Sequence, residues 1–233
     1  MAVLHFVLLL AFSLILLSKA AEENNDKLKL VYFDGKGRAE ISRIMLHGAN
    51  KDFEDLRAGR DFVWSEVKTS GAYAANLDRL PVLVIENEGD STTIGQSKAI
   101  EYYIADTYGY MGSTKIDAAT VMMIVEHCTD LKQAFKDAKT TGNAEAFMTS
   151  AEDKMFKHWL YRIEKSLPAP MNGPTWADIS LYQMLKYSFN EYPELVNESL
   201  AEIPHPKIEH VLSSVAEFLT EYNSDPRYSQ GEF

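Results

Sequence analysis

Four side chains have the types and surroundings best suited to chemistry: Tyr32, Arg38, Gln96 and Ser97. Tyr32 lies near the end of the apolar run Lys27–Phe33, with Asp34-Gly35-Lys36-Gly37 and then Arg38 following it. A strand end beside a glycine-bearing loop and a helix start is where backbone N–H groups and the helix dipole favour an anion. Taken alone, such a tyrosine is more often a packed core residue. Two further features give it company. Leu80-Pro81 opens a buried-type strand, and a cis proline there would offer the preceding backbone groups to an extended peptide. Gln96-Ser97 opens a helix, a place suited to an amino-acid carboxylate through N–H, hydroxyl and dipole.

Other chemistries lack support. The six histidines are scattered, and His205 and His210 stand five apart across a proline, the wrong spacing for two metal ligands on one helix face. Asp34-Gly35-Lys36-Gly37 has neither the Walker nor the dinucleotide spacing. No serine elbow occurs, and His127 and Cys128 are neighbours whose side chains diverge on a helix.

The elements that must position these residues follow from hydrophobic periodicity. A strand ends at Phe33, and Arg38–His47 reads as a helix with Ile41, Ile44 and Met45 on one face. Lys51–Leu56 reads as a strand and Phe62–Lys68 as a short helix bearing Trp64. Lys68–Arg79 is an irregular loop. Leu80–Ile85 and Ser91–Ile94 form a hairpin about Asn87-Glu88-Gly89-Asp90, and Lys98–Tyr108 is a helix. The order β-α-β-α-β-β-α predicts one small mixed sheet covered by helices. Beyond the connector 109–115, the patterns are helical only. They cover Asp117–Lys139, Ala144–Leu167, Thr175 to about Tyr187, and Lys207–Tyr222. Thr175 and Asp178 make an aspartate version of the capping box.

Residues Val3–Leu17 are apolar apart from His5 and Ser13, and Ser18-Lys19-Ala20 supplies small residues before a cut. Residues 1–20 therefore read as a signal peptide, which places the chain in the secretory pathway, secreted or lumenal. An uncleaved anchor is the alternative. The net charge is −11, and removal of residues 1–20 takes away Lys19 and no acid. An acidic chain without a basic cluster argues against nucleic acid and against a membrane as partner once the signal is gone. The single cysteine, Cys128, permits no intrachain disulfide and reads as a packed thiol. Asn197-Glu198-Ser199 is an N-glycosylation sequon, in keeping with secretion.

Tyr32-Phe33 with Gly37-Arg38-Ala39-Glu40, Trp64 with Lys68, Leu80-Pro81, Gln96-Ser97 and Thr175-Trp176-Ala177-Asp178 together resemble the glutathione transferase family. The resemblance is greatest to the sigma class, which includes glutathione-dependent prostaglandin D synthases and S-crystallins. It spans roughly Lys27 to Tyr222. It implies a thioredoxin-like α/β domain over residues 27–108, with a mixed four-stranded sheet, and an all-α domain over residues 116–233 that supplies the electrophile site. It implies a homodimer, glutathione as co-substrate, a small hydrophobic electrophile as second substrate, and no metal.

The implied roles fall on matching positions. Tyr32 would hydrogen-bond the glutathione sulfur, with Arg38 beside it. Trp64 and Lys68 would hold the glycine end, and Leu80, before Pro81, the cysteinyl backbone. Gln96 and Ser97 would hold the γ-glutamyl end, and Asp130 would reach the γ-glutamyl amine in the neighbouring subunit. Asp178 would cap a helix. Lys68–Arg79 is longer than the family pattern, and Asp78-Arg79 replaces a usual Gly-Gln or Gly-Lys, so Arg79 is expected to serve as the substitute cation. The lead-in to Thr175 also departs from the pattern, and a signal peptide is atypical. The resemblance implies a transferase. Its alternatives are an isomerase or peroxidase on lipid endoperoxides or peroxides, and a low-activity structural or ligand-carrying protein.

Overall fold

The computed structural model describes residues 26–153 and 155–229. The expected signal peptide, residues 1–20, lies outside them.

Alternation of Leu28 and Leu30 with Val31 builds β1, Lys27–Phe33, with a buried residue on each face of the sheet. A 3₁₀ turn, Gly37–Ala39, leads into α1, Glu40–Gly48, whose Ile41, Ile44 and Met45 are buried. Next come β2, Phe53–Ala58, and α2, Trp64–Val67. A 3₁₀ turn at Ala74–Asn76 precedes β3, Val82–Asn87, and β4, Asp90–Gly95. Then α3, Ser97–Thr107, closes this half of the chain.

The sheet is four-stranded, in the order β2-β1-β3-β4. β1 runs parallel to β2 and antiparallel to β3, and β3 and β4 are antiparallel. One face packs Leu28, Leu30 and Leu83 with Ile44, Met45, Ile100 and Ile104 into the large core. The other gathers Val31, Ala58, Leu80 and Val82 into a small one. Tyr32 packs against both cores, at the seam where the sheet ends.

The second half is helical. α4, Lys115–Thr140, opens with a Thr114–Asp117 capping box and buries Val121, Ile124, Val125, Cys128, Leu131 and Phe135, a stripe at i, i+3, i+4 spacing. α5 is Ala144–Thr149, α6 Phe156–Ser166 and α7 Trp176–Gln183. A π turn, Met184–Ser188, continues α7. α8, Pro193–Glu202, and α9, Pro206–Phe218, each begin with proline, whose missing N–H costs nothing in a first turn. Two short helices end the described chain, α10 at Thr220–Ser224 and α11 at Pro226–Ser229. The fold is therefore a thioredoxin-like α/β unit followed by an all-α unit. Among the described residues no helix is long and apolar enough to cross a membrane.

Three helical expectations need correction. Ala144–Leu167 is two helices, because the Ser150 hydroxyl accepts from the Glu152 N–H at 3.2 Å and offers the backbone a turn instead. The helix from Thr175 gives way to the π turn at Met184. The tail breaks at Leu219, where ψ is 1°. α8 has no counterpart in the sequence reading.

The halves are pinned together by polar contacts. Trp176 is fully buried and donates from Nε1 to Glu101 of α3 at 2.8 Å. The Tyr110 hydroxyl donates to the Met45 carbonyl at 2.8 Å. The tail returns to the α/β half, where Tyr222 donates to Glu40 of α1 at 3.0 Å and Arg57 of β2 donates to the Arg227 carbonyl at 3.3 Å. Thr175 and Asp178 form a capping box at the start of α7, with N–H···O distances of 2.8 and 3.3 Å.

Candidate active site

A cleft of about 500 Å³ opens where the two halves meet. Tyr32, Gly37 and Arg38 form its sheet side, and Ser97 and Glu101 come from α3. Lys132 and Lys136 of α4 and Tyr187 of the π turn close it. Tyr32 is half-buried, with its ring packed against both cores.

The loop under Tyr32 is shaped by two residues. Gly37 has φ +43°, and a Cβ built on it would stand 2.8 Å from the Tyr32 hydroxyl oxygen. Arg43 is wholly buried and pairs through Nε with both oxygens of Asp55, at 3.0 and 3.1 Å. Its Nη1 donates to the carbonyls of Gly35 at 2.9 Å and Lys36 at 3.2 Å, and its guanidinium carbon lies 6.0 Å from the Tyr32 ring centre. Arg38, by contrast, is exposed at the cleft wall and has no ion pair among the described residues.

The Leu80–Pro81 peptide is cis. The loop before it is held by Asn76, a buried amide that donates to the Arg79 carbonyl at 2.8 Å and the Pro81 carbonyl at 2.9 Å. The Asn76 carbonyl oxygen accepts from the Gln96 N–H at 3.1 Å, and Gln96 has φ +65° at the head of α3. One side chain thus ties the cis-proline turn to the α3 start.

The electrostatics are set by burial. Glu40 is buried, which raises its pKa against the pull of Arg43 and the Tyr222 hydrogen bond. Lys132 has a lowered pKa, through burial first and then the repulsion of Lys98 and Arg38. Burial pushes the Cys128 thiol up to about 12, so it is an inert packing group.

Of the residues singled out in the sequence, Tyr32, Arg38 and Ser97 share the cleft. Leu80 and Pro81 are buried beside Tyr32 in the small core region, and Gln96 is exposed at the α3 head. Trp64 sits in an adjoining depression, edge-on to Phe33 at 5.8 Å and stacked on Tyr73 at 6.2 Å. Lys68 and Arg79 are exposed, and Asp130 is an exposed residue of α4. Asn197 is exposed on α8, while Ser199 of its sequon is buried. Sequence reasoning missed Arg43, Asn76, Lys98, Lys132 and Tyr187. For Lys132 a signal existed: it lies four residues after buried Cys128, at the edge of the α4 stripe.

No family model matches the chain. Among curated proteins it is 30% identical over 195 residues to S-crystallin SL11 of Nototodarus sloanii, covering 80% of this chain and 89% of that one. It is 28% identical over 193 residues to glutathione S-transferase 3 of Caenorhabditis elegans, covering 77% and 86%. A solved sigma class glutathione transferase of Fasciola hepatica superposes with a TM-score of 0.68 at 23% identity, covering 89% of this chain and 99% of that chain. A thioredoxin-like sheet, a helical second half and these relatives define the class. The chain belongs to the glutathione transferase family. Its relatives within that family include sigma-like ones.

Proposed function

We propose that the chain ionises the thiol of glutathione at Tyr32 and transfers the sulfur to small hydrophobic electrophiles. The observation that carries this reading is the fit between the Tyr32 hydroxyl and Gly37 at the mouth of a cleft that also holds Arg38 and Ser97. A free thiol is only a few per cent thiolate at neutral pH. A neutral phenol donating to sulfur favours the anion, and each unit of lowering is worth about 1.4 kcal/mol. Arg38 adds charge in the same direction. The thiol proton leaves to solvent, the sulfur forms a bond to the electrophilic carbon, and the leaving group departs with the bonding pair.

On this reading Gln96 and Ser97 bind the γ-glutamyl end, helped by Asp130 of a second subunit in a homodimer. The Leu80 backbone binds the cysteinyl unit. Trp64, Lys68 and Arg79 serve the glycine end. The exposure of Lys68 and Arg79 suits contact with a carboxylate in solvent. The chain enters the secretory pathway through residues 1–20 and carries glycan at Asn197, whose exposure is compatible with it.

The likeness to an S-crystallin favours one second reading, a structural or carrier protein with little turnover. An assay of the purified chain with glutathione and chlorodinitrobenzene, beside Tyr32→Phe, separates the two. Conjugation that falls in the variant supports the transferase. Glutathione binding without conjugation by the parent chain supports the carrier. N-terminal sequencing of protein from its native host tests secretion: an intact Met1 rejects cleavage.

A further inference from the structure

We infer that the electrophile carries a carboxylate, met by Lys132 and Lys136 on the α4 wall of the cleft. This deepens the transferase reading and rests on it. The two lysines are one turn apart and line the same cleft as Tyr32 and Tyr187. Neither forms an ion pair or side-chain hydrogen bond among the described residues. The two carboxylates that line the cleft are already engaged. Glu40 takes Tyr222 and Arg43. Glu101 takes Lys98 at 2.7 Å and Trp176 at 2.8 Å.

Cations held without partners in a chain of net charge −11 are not a product of composition. Lys132 is half-buried, and withdrawing an unpaired ammonium from water is unfavourable. A bound anion would relieve that cost and the repulsion that Lys98 and Arg38 exert on Lys132. The ends of glutathione have other cations and donors in Lys68, Arg79, Gln96 and Ser97, so the α4 lysines remain for the second substrate.

The shape fits an amphipathic molecule. The cleft continues past Ser188 into a depression that shares Lys132 and Lys136 and is floored by Phe135. Lys139, one turn further along, is paired with Glu191 and so ends the run of unpartnered cations. A ligand with its reactive carbon at Tyr32, an aromatic or alkyl body over Tyr187 and Phe135, and a carboxylate between the lysines gives both lysines a partner. In the transfer the C–S bond forms as the carbon–leaving-group bond breaks, and the carboxylate stays unchanged.

The test uses the full chain, glutathione, chlorodinitrobenzoate and the uncharged carboxamide of the same compound. The ratio of kcat/KM for acid over amide, corrected for the uncatalysed rates, is measured for the parent, Lys132→Met and Lys136→Met. The expected result is a parent ratio above one that falls about tenfold in the variants and weakens with added salt. Equal ratios in all three chains, or a parent preference for the amide, would overturn the inference. Thermal unfolding of each variant checks folding, and exposed Lys136 supplies the variant least able to disturb the core. Should the parent turn over neither compound nor chlorodinitrobenzene, the transferase reading falls. Calorimetry with the two preformed glutathione conjugates then decides the inference: tighter binding of the acid by the parent alone supports it, and equal affinities overturn it.

Discussion

The Tyr32 hydroxyl occupies the space that a side chain at position 37 would fill: a Cβ there would stand 2.8 Å from the hydroxyl oxygen and 2.9 Å from the ring carbon Cε1. Gly37 also has φ +43°, in the left-handed region that glycine enters at least cost. The glycine is thus fitted both to its own loop and to the phenol it faces.

Gly37→Ala should therefore damage activity more than stability. The phenol tip can swing away from the new methyl group, so the stability loss should stay at about 1 kcal/mol from the backbone. The displaced hydroxyl should lower kcat/KM for glutathione conjugation by about tenfold or more. Paired thermal melts and kinetics of the one variant check this, and a large stability loss with normal kinetics would refute it.

Asn76 supplies two donated hydrogen bonds to the cis-proline loop and one accepted bond from the head of α3. Asn76→Ala should cost about 2 kcal/mol of stability, the scale of buried backbone groups left without partners. Because it joins two proposed glutathione-binding segments, the variant should also raise KM for glutathione while changing kcat little. Steady-state kinetics with glutathione varied read this split.

Tyr222→Phe removes the hydroxyl that supports the buried Glu40 carboxylate. Burial already raises the Glu40 pKa, so its ionisation opposes folding as pH climbs through the folded value. Below the unfolded pKa of about 4.3 the group is protonated in both states, and that opposition is absent. Losing the Tyr222 donor raises the folded pKa further. The variant should be destabilised by about 1–2 kcal/mol at neutral pH and by less in acid. Denaturant unfolding at the two pH values checks the sign.

Much of the fold was legible because it rests on local periodicity. The face of Ile41, Ile44 and Met45 in α1 and the six-residue stripe of α4 are buried as their spacing implies. The break at Ser150 was not legible, since a side-chain hydrogen bond overrides a pattern that continues through it. Tyr32, Arg38 and Ser97, singled out by their positions along the chain, do line one cleft. Arg43 was not legible, because a charge beside an apolar helix face reads as solvent-facing until Asp55, on β2, is known to meet it. Asn76 escaped for the same reason: its partners Pro81 and Gln96 come from separate elements.

In the proposed mechanism, Tyr32 stabilises the glutathione thiolate. The most direct measurement is the ultraviolet thiolate absorbance of bound glutathione as a function of pH, in the parent chain and in Tyr32→Phe. The thiol pKa in the parent should lie about one to two units below the free value near 8.5, and return toward that value in the variant. The same pKa in both, with glutathione bound in each, would contradict it.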